Sequence, residues 1–177
     1  MFSLTQGLRR ALQTRPTGPS TAFAPRRRTW EQTADRVARV AGALGALGVK
    51  RGDPVAILAL NSDRYFELMY AIPWIGAVMV PINTRLAAPE IEYILNDSGA
   101  VALFVDGAMA HHLTALDGKI PSVREVVWLD DISSPDGILH YEDLTAYDAA
   151  DDVGAASRVL SGTMTAPIQG RAYISSK

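Results

Sequence analysis

The continuous apolar run Pro54-Val-Ala-Ile-Leu-Ala-Leu60 constrains this chain more than any other feature. It has no polar alternation, so a strand made from it has to be covered on both faces. Shorter apolar segments at 77–82, 101–105 and 125–129 follow at regular intervals, separated by amphipathic stretches. Strand, helix, strand in repeated alternation builds a mostly parallel sheet with helices on both faces, so the expected class is α/β.

The intervening stretches carry helix punctuation. Thr29 followed by Gln32 reads as a capping box, opening a helix with Ala34, Val37, Ala38, Ala41, Leu44 and Leu47 on one face and a stop at Gly48. Asn61-Ser62-Asp63 offers capping side chains for a helix containing Phe66, Met69, Tyr70 and Trp74, which Pro73 should kink or shorten. Pro89 suits the first turn of another helix, ended at Ser98-Gly99. A further helix is expected at 108–116 and a short strand at Thr21-Ala22-Phe23. Phe2, Leu4, Leu8 and Leu12 form the stripe of an N-terminal helix. Residues 130–157 are polar and acidic and read as loops with one helical turn at 141–144.

At 177 residues the chain suffices for one domain with a tail. It has no cysteine, which excludes disulfides, thiolate metal sites and cysteine nucleophiles. No apolar run approaches the ~20 residues of a membrane span. The net charge of -2 hides six arginines and no acid in residues 1–30. That basic start reads as a short surface helix, with a mitochondrial transit peptide as the alternative; the compartment expected is accordingly cytoplasmic, with mitochondrial as the alternative. Arg26-Arg27-Arg28 reads as a solvated turn, and the acidic remainder argues against nucleic acid as a partner.

Several motifs fail on inspection. Gly42, Gly45 and Gly48 have dinucleotide-loop spacing but sit inside a helix pattern, where small residues allow close packing. His111-His112 lacks further ligands at metal spacing and reads as a surface pair. No G-x-S-x-G elbow occurs. The acidic residues from Asp130 to Asp152 lack calcium-loop spacing and read as a solvated loop. One stretch, Ser161-Gly-Thr-Met-Thr-Ala-Pro-Ile-Gln-Gly170, has the small residues of a phosphate cradle in Ser161, Gly162 and Thr163, but no lysine.

The segments Arg28-Thr-Trp-Glu31, Gly48-Val-Lys-Arg-Gly-Asp-Pro-Val-Ala-Ile57, Asn61-Ser62, Gly76-Ala-Val-Met-Val-Pro-Ile-Asn-Thr-Arg-Leu86, Glu90-Ile-Glu-Tyr-Ile94 and Asp97-Ser-Gly-Ala100 occur in order. As an ordered set they resemble the N-terminal subdomain of the AMP-forming acyl-CoA synthetases, within the adenylate-forming superfamily. The resemblance covers residues 1–155, leaving 156–177 as a divergent tail. It implies activation of a fatty or other carboxylic acid with Mg-ATP to an acyl-adenylate, then transfer to coenzyme A. ATP, magnesium and coenzyme A are the cofactors it implies.

The same resemblance places a phosphate loop at 161–170, with Ser161, Gly162 and Thr163 as the matching cofactor-binding residues and no catalytic or metal residue assigned. Where the family has threonine, glycine and lysine, this chain has Met164, Thr165 and Ile168, losing a flexible turn and a positive charge. Trp30 and the strand from Val55 to Leu60 are expected to pack the sheet. Asn61, Asn83 and Arg85 sit at strand ends, where ligand crevices form in this architecture, and they read as structural. The leading expectation is an incomplete copy of an acid–CoA ligase, inactive alone. The alternative is a non-catalytic module binding a protein partner or forming a homo-oligomer through an uncovered sheet edge.

Overall fold

The computed structural model describes residues 4–132, 134, 135 and 137–152. The chain opens with α1 (Gln6–Thr14), then an antiparallel hairpin of β1 (Pro19–Phe23) and β2 (Arg26–Thr29), then α2 (Trp30–Ala46). The capping box is present: the Thr29 hydroxyl accepts the Gln32 N–H at 3.3 Å, and the Gln32 side chain accepts the Thr29 N–H at 2.9 Å. Gly48 adopts φ 82°, a left-handed conformation that suits glycine at the end of a helix.

The rest of the chain alternates as expected. It runs β3 (Pro54–Leu58), α3 (Asp63–Trp74), β4 (Val78–Pro81), α4 (Ala88–Ser98), β5 (Ala102–Val105), α5 (His111–Leu116), β6 (Glu125–Trp128), β7 (Leu139–His140) and α6 (Tyr141–Leu144). The five later strands form one sheet in the order β4-β3-β5-β6-β7, and every neighbouring pair is parallel. Pro73 falls in the last turn of α3, where it shortens the helix as expected.

The sheet's period of two divides its side chains between two cores. Val55, Ile57, Phe104 and Val127 pack with Leu8, Val37, Leu44, Leu68, Ile72 and Tyr141, from α1, α2, α3 and α6. Ala56, Leu58, Leu103, Val105 and Trp128 pack with Ile91, Leu95 and Leu116, from α4 and α5. Each fully buried Leu, Ile or Phe contributes about 1.5–3 kcal/mol relative to exposure, which is why the continuous run at β3 has no polar position. The chain crosses from β3 to β4 on one side and returns to β5 on the other. The topological switch point, where ligands bind in such sheets, therefore lies between β3 and β5.

Four expectations need correction. Arg26-Arg27-Arg28 is not a solvated turn but most of β2, because the hairpin turns earlier and Arg26 and Arg28 meet a buried carboxylate. The acidic stretch contains β7 in addition to the helical turn, and Asp131, Glu142 and Asp152 pair with arginines instead of being merely solvated. The helix expected at 108–116 is regular only over α5. His111-His112 is not a surface pair, because His112 is buried while His111 stays exposed. Trp30 packs on Phe66 of α3, with ring centroids 6.3 Å apart, within the layer covering the sheet, as expected.

Candidate functional site

Ser161, Gly162 and Thr163 lie outside the described residues. The candidate site that can be described is the C-terminal rim of the sheet, and above all the switch point. There the Leu60, Gly107 and Met109 amides are already occupied by carboxylates. Asp106, directly after β5, accepts the Leu60 N–H at 2.7 Å with one carboxylate oxygen and the Met109 N–H at 3.1 Å with the other. One strand further along, Asp130 accepts the Gly107 N–H at 2.7 Å. A Cβ at Gly107 would stand 2.7 Å from that carboxylate oxygen, so a side chain there would push the Asp130 carboxylate aside. The segments that follow β3 and β5 are thus each tied by a carboxylate from the end of the next strand.

The strand-end residues singled out from sequence are not assembled into one constellation. The Asn83 side-chain oxygen accepts the Arg85 N–H at 3.0 Å, forming an Asx-type turn after β4, and both side chains are exposed. Asn61 is exposed beside Ser62 in a shallow depression that Ser20, Thr21 and Phe66 also line. Ser62 itself caps α3, its hydroxyl accepting the Tyr65 N–H at 3.1 Å.

Beside the rim runs a seam of arginines and carboxylates that the sequence did not announce. The first turn and inner face of α3 place Asp63, Arg64 and Glu67 out of solvent, all within 3% exposure. Asp63 takes two hydrogen bonds from Arg26, at 2.8 and 2.9 Å, and a third from Arg28. Glu67 receives Arg36 at 2.8 and 3.0 Å and the Tyr141 hydroxyl at 2.8 Å. Arg36 continues to Glu142 through two hydrogen bonds at 2.9 and 3.0 Å. Arg64 donates to Glu142 at 2.9 Å, to the Leu129 carbonyl and to Asp131. Asp131 also meets Arg26, closing the circuit from hairpin to α6.

The electrostatics follow from these contacts. Burial alone would raise the Asp63 carboxyl, but the hydrogen bonds and charges of Arg26 and Arg28 outweigh it and hold the group down at about 2. Glu142 and Asp131 are likewise lowered, their arginine partners overcoming partial burial. Complete burial, reinforced by the Glu67 carboxylate, pushes the Tyr141 phenol well above its ordinary value and keeps it a hydrogen-bond donor. Burial and the adjacent His111 lower His112. The seam is a set of paired opposite charges that joins the hairpin, α2, α3 and α6.

Among the described residues, no group of three or more His, Cys, Asp or Glu side chains is placed to hold a metal ion. No described helix is long and apolar enough to cross a membrane. Large exposed apolar side chains lie at the rim at Leu60 and Ile132, and Val78 of the edge strand β4 is 51% exposed.

Residues 8–167 match the sequence profile of the AMP-binding enzyme family. The long-chain-fatty-acid–CoA ligase of Thermus thermophilus is 36% identical over 136 residues, 77% of this chain and 25% of that protein. The peroxisomal trans-cinnamate:CoA ligase of Petunia hybrida is 36% identical over 155 residues, 77% of this chain and 27% of that protein. Among solved structures, the anthranilate CoA ligase AuaEII in complex with anthranoyl-AMP superposes with a TM-score of 0.78 and 28% identity, covering 85% of this chain and 30% of that one. The inhibitor-bound N-terminal domain of FACL13 from Mycobacterium tuberculosis gives 0.74 at 30% identity, covering 86% and 37%. The chain spans about a quarter of the length of these curated relatives.

Proposed function

The chain belongs to the AMP-binding enzyme family, and we propose that it supplies the N-terminal subdomain, residues 1–155, of an acid–CoA ligase. The reaction is activation of a fatty or other carboxylic acid with ATP to an acyl-adenylate, followed by transfer to coenzyme A. The observation that carries this reading is the continuous match over residues 8–167, joined to superposition on an N-terminal domain of a related protein.

Within that reaction the described residues build and brace the scaffold. The rim amides of Leu60, Gly107 and Met109 are consumed by Asp106 and Asp130, so these three are not the donors to the triphosphate. Residues 161–170 are the candidate cradle, with Ser161, Gly162 and Thr163 presenting amides and hydroxyls to phosphate oxygens. Magnesium bound with ATP supplies charge neutralisation at the phosphates, and no step through it is assigned to the described residues. Met164, Thr165 and Ile168 weaken the cradle by bulk and by the absent lysine charge.

The test is a chimera in which residues 4–170 replace the corresponding segment of the Thermus thermophilus ligase, assayed by pyrophosphate exchange into ATP over a panel of acids. The expected result is weak acid-dependent exchange, raised at least ~10-fold by restoring Met164→Thr, Thr165→Gly and Ile168→Lys together. A folded chimera in which neither form shows exchange would sink the reading.

A further inference from the structure

After α6 the chain runs without regular structure from Thr145 to Asp152 and lies along α2. Its seat is one face of that helix. The Ala150 N–H donates to the Ala38 carbonyl at 2.9 Å, and the Arg39 guanidinium donates to the Tyr147 carbonyl at 3.3 Å. From α3, the Trp74 indole N–H donates to the Ala150 carbonyl at 2.8 Å. Arg9 of α1 pairs with Asp152 at the far end. Between these fastenings lies Gly42, one helical turn beyond Ala38. A Cβ built there would overlap the Asp148 carbonyl oxygen and approach the Ala150 nitrogen at 3.4 Å. Gly45, three residues on in the same helix, has nothing within 4 Å of the equivalent position. The two glycines look alike in sequence and differ entirely in what surrounds them.

We infer that Gly42 is the seat of a separable strap: its missing side chain lets residues 145–152 dock on α2, and the strap opens independently of the sheet. The fastenings point the same way. Those described above are two backbone carbonyls, one backbone amide and an ion pair at the buried Asp152, and Tyr147 and Ala150 pack on the core while only partly buried. By contrast β5 is apolar and buried at all four positions. Segments held mainly by a few hydrogen bonds open with lower free energy than buried strands. The overlap at Gly42 involves backbone, which cannot rotate aside as a side-chain tip would. Eight residues separate Asp152 from Ser161, so the docked strap sets where that passage begins.

Hydrogen exchange on the 177-residue chain, read amide by amide, tests this. With Gly42→Ala, exchange at Ala150 and its strap neighbours should accelerate at least ~10-fold, while amides of β3 and β5 change less than ~2-fold. Gly45→Ala should leave the strap unchanged, since alanine there only improves helix propensity. Trp74→Phe, which removes one fastening and leaves Gly42 intact, should accelerate the strap alone and to a smaller degree. It decides the question if Gly42→Ala fails to fold. The inference is overturned if strap and sheet accelerate together in either variant, if neither variant moves the strap, or if Gly45→Ala moves it as much as Gly42→Ala.

Discussion

Strand β5 and the inner face of α3 are equally shut off from water and are built from opposite materials. In β5, Ala102, Leu103, Phe104 and Val105 are all buried, and any apolar group of similar volume would serve. On α3, Asp63, Arg64 and Glu67 are as deeply buried, yet each is stable there only because particular partners arrive from elsewhere. The core holds the sheet together and is indifferent to detail. The seam fixes which hairpin, helix and loop may stand beside it, and tolerates little change.

The sharpest break in this comparison is Glu67→Ala. It leaves Arg36 and the Tyr141 hydroxyl facing a site without their acceptor, and should cost about 3–5 kcal/mol in urea unfolding; a loss under about 1 kcal/mol would mean that the seam is ornamental. Asp63→Asn should cost about 1.5–3 kcal/mol at neutral pH, since two arginines lose their charged acceptor. It also has a pH signature. The Asp63 carboxyl sits at about 2 in the fold against an ordinary 3.8, so the unfolded chain binds the extra proton in between. Its stabilisation is therefore complete above about pH 4 and is lost as pH falls from there through 2. The Asn variant should show a flatter acid limb in stability measured from pH 6 to 2. Phe104→Leu, by contrast, keeps the core apolar and should cost less than about 1.5 kcal/mol. Smallest of all, Asp35→Asn breaks the exposed pair with Arg39 at 2.9 Å and should leave the urea midpoint indistinguishable from that of the parent chain.

The same contrast explains how much could be read in advance. Apolar burial leaves a local trace: the run 54–60 announced a strand covered on both sides, and the alternation of strand and helix announced the parallel sheet. Caps at Thr29 and Ser62 are local too, with acceptor and donor three residues apart. The seam has no local trace. Glu67 and Arg36 are 31 residues apart, Arg64 and Glu142 are 78 apart, and a charged residue in a helix reads as a solvated face until its partner is placed. Strand β2 was missed for this reason, because three arginines in a row resemble a turn when Asp63 is not in view. Two-residue β7 is too short to carry a period. Gly42 could be marked as a close-packing residue, but Gly45 had the same mark, and only the path of residues 145–152 tells them apart.

The carboxylates of Asp106 and Asp130 also bear on how ligands compete for the rim. Each is an anion tethered to the amide it binds, and a short tether gives it an effective concentration on the order of millimolar or above. A free phosphate group would have to displace that tethered rival and then share the space with its charge. At these amides the fold therefore disfavours a competing anion without any group devoted to exclusion.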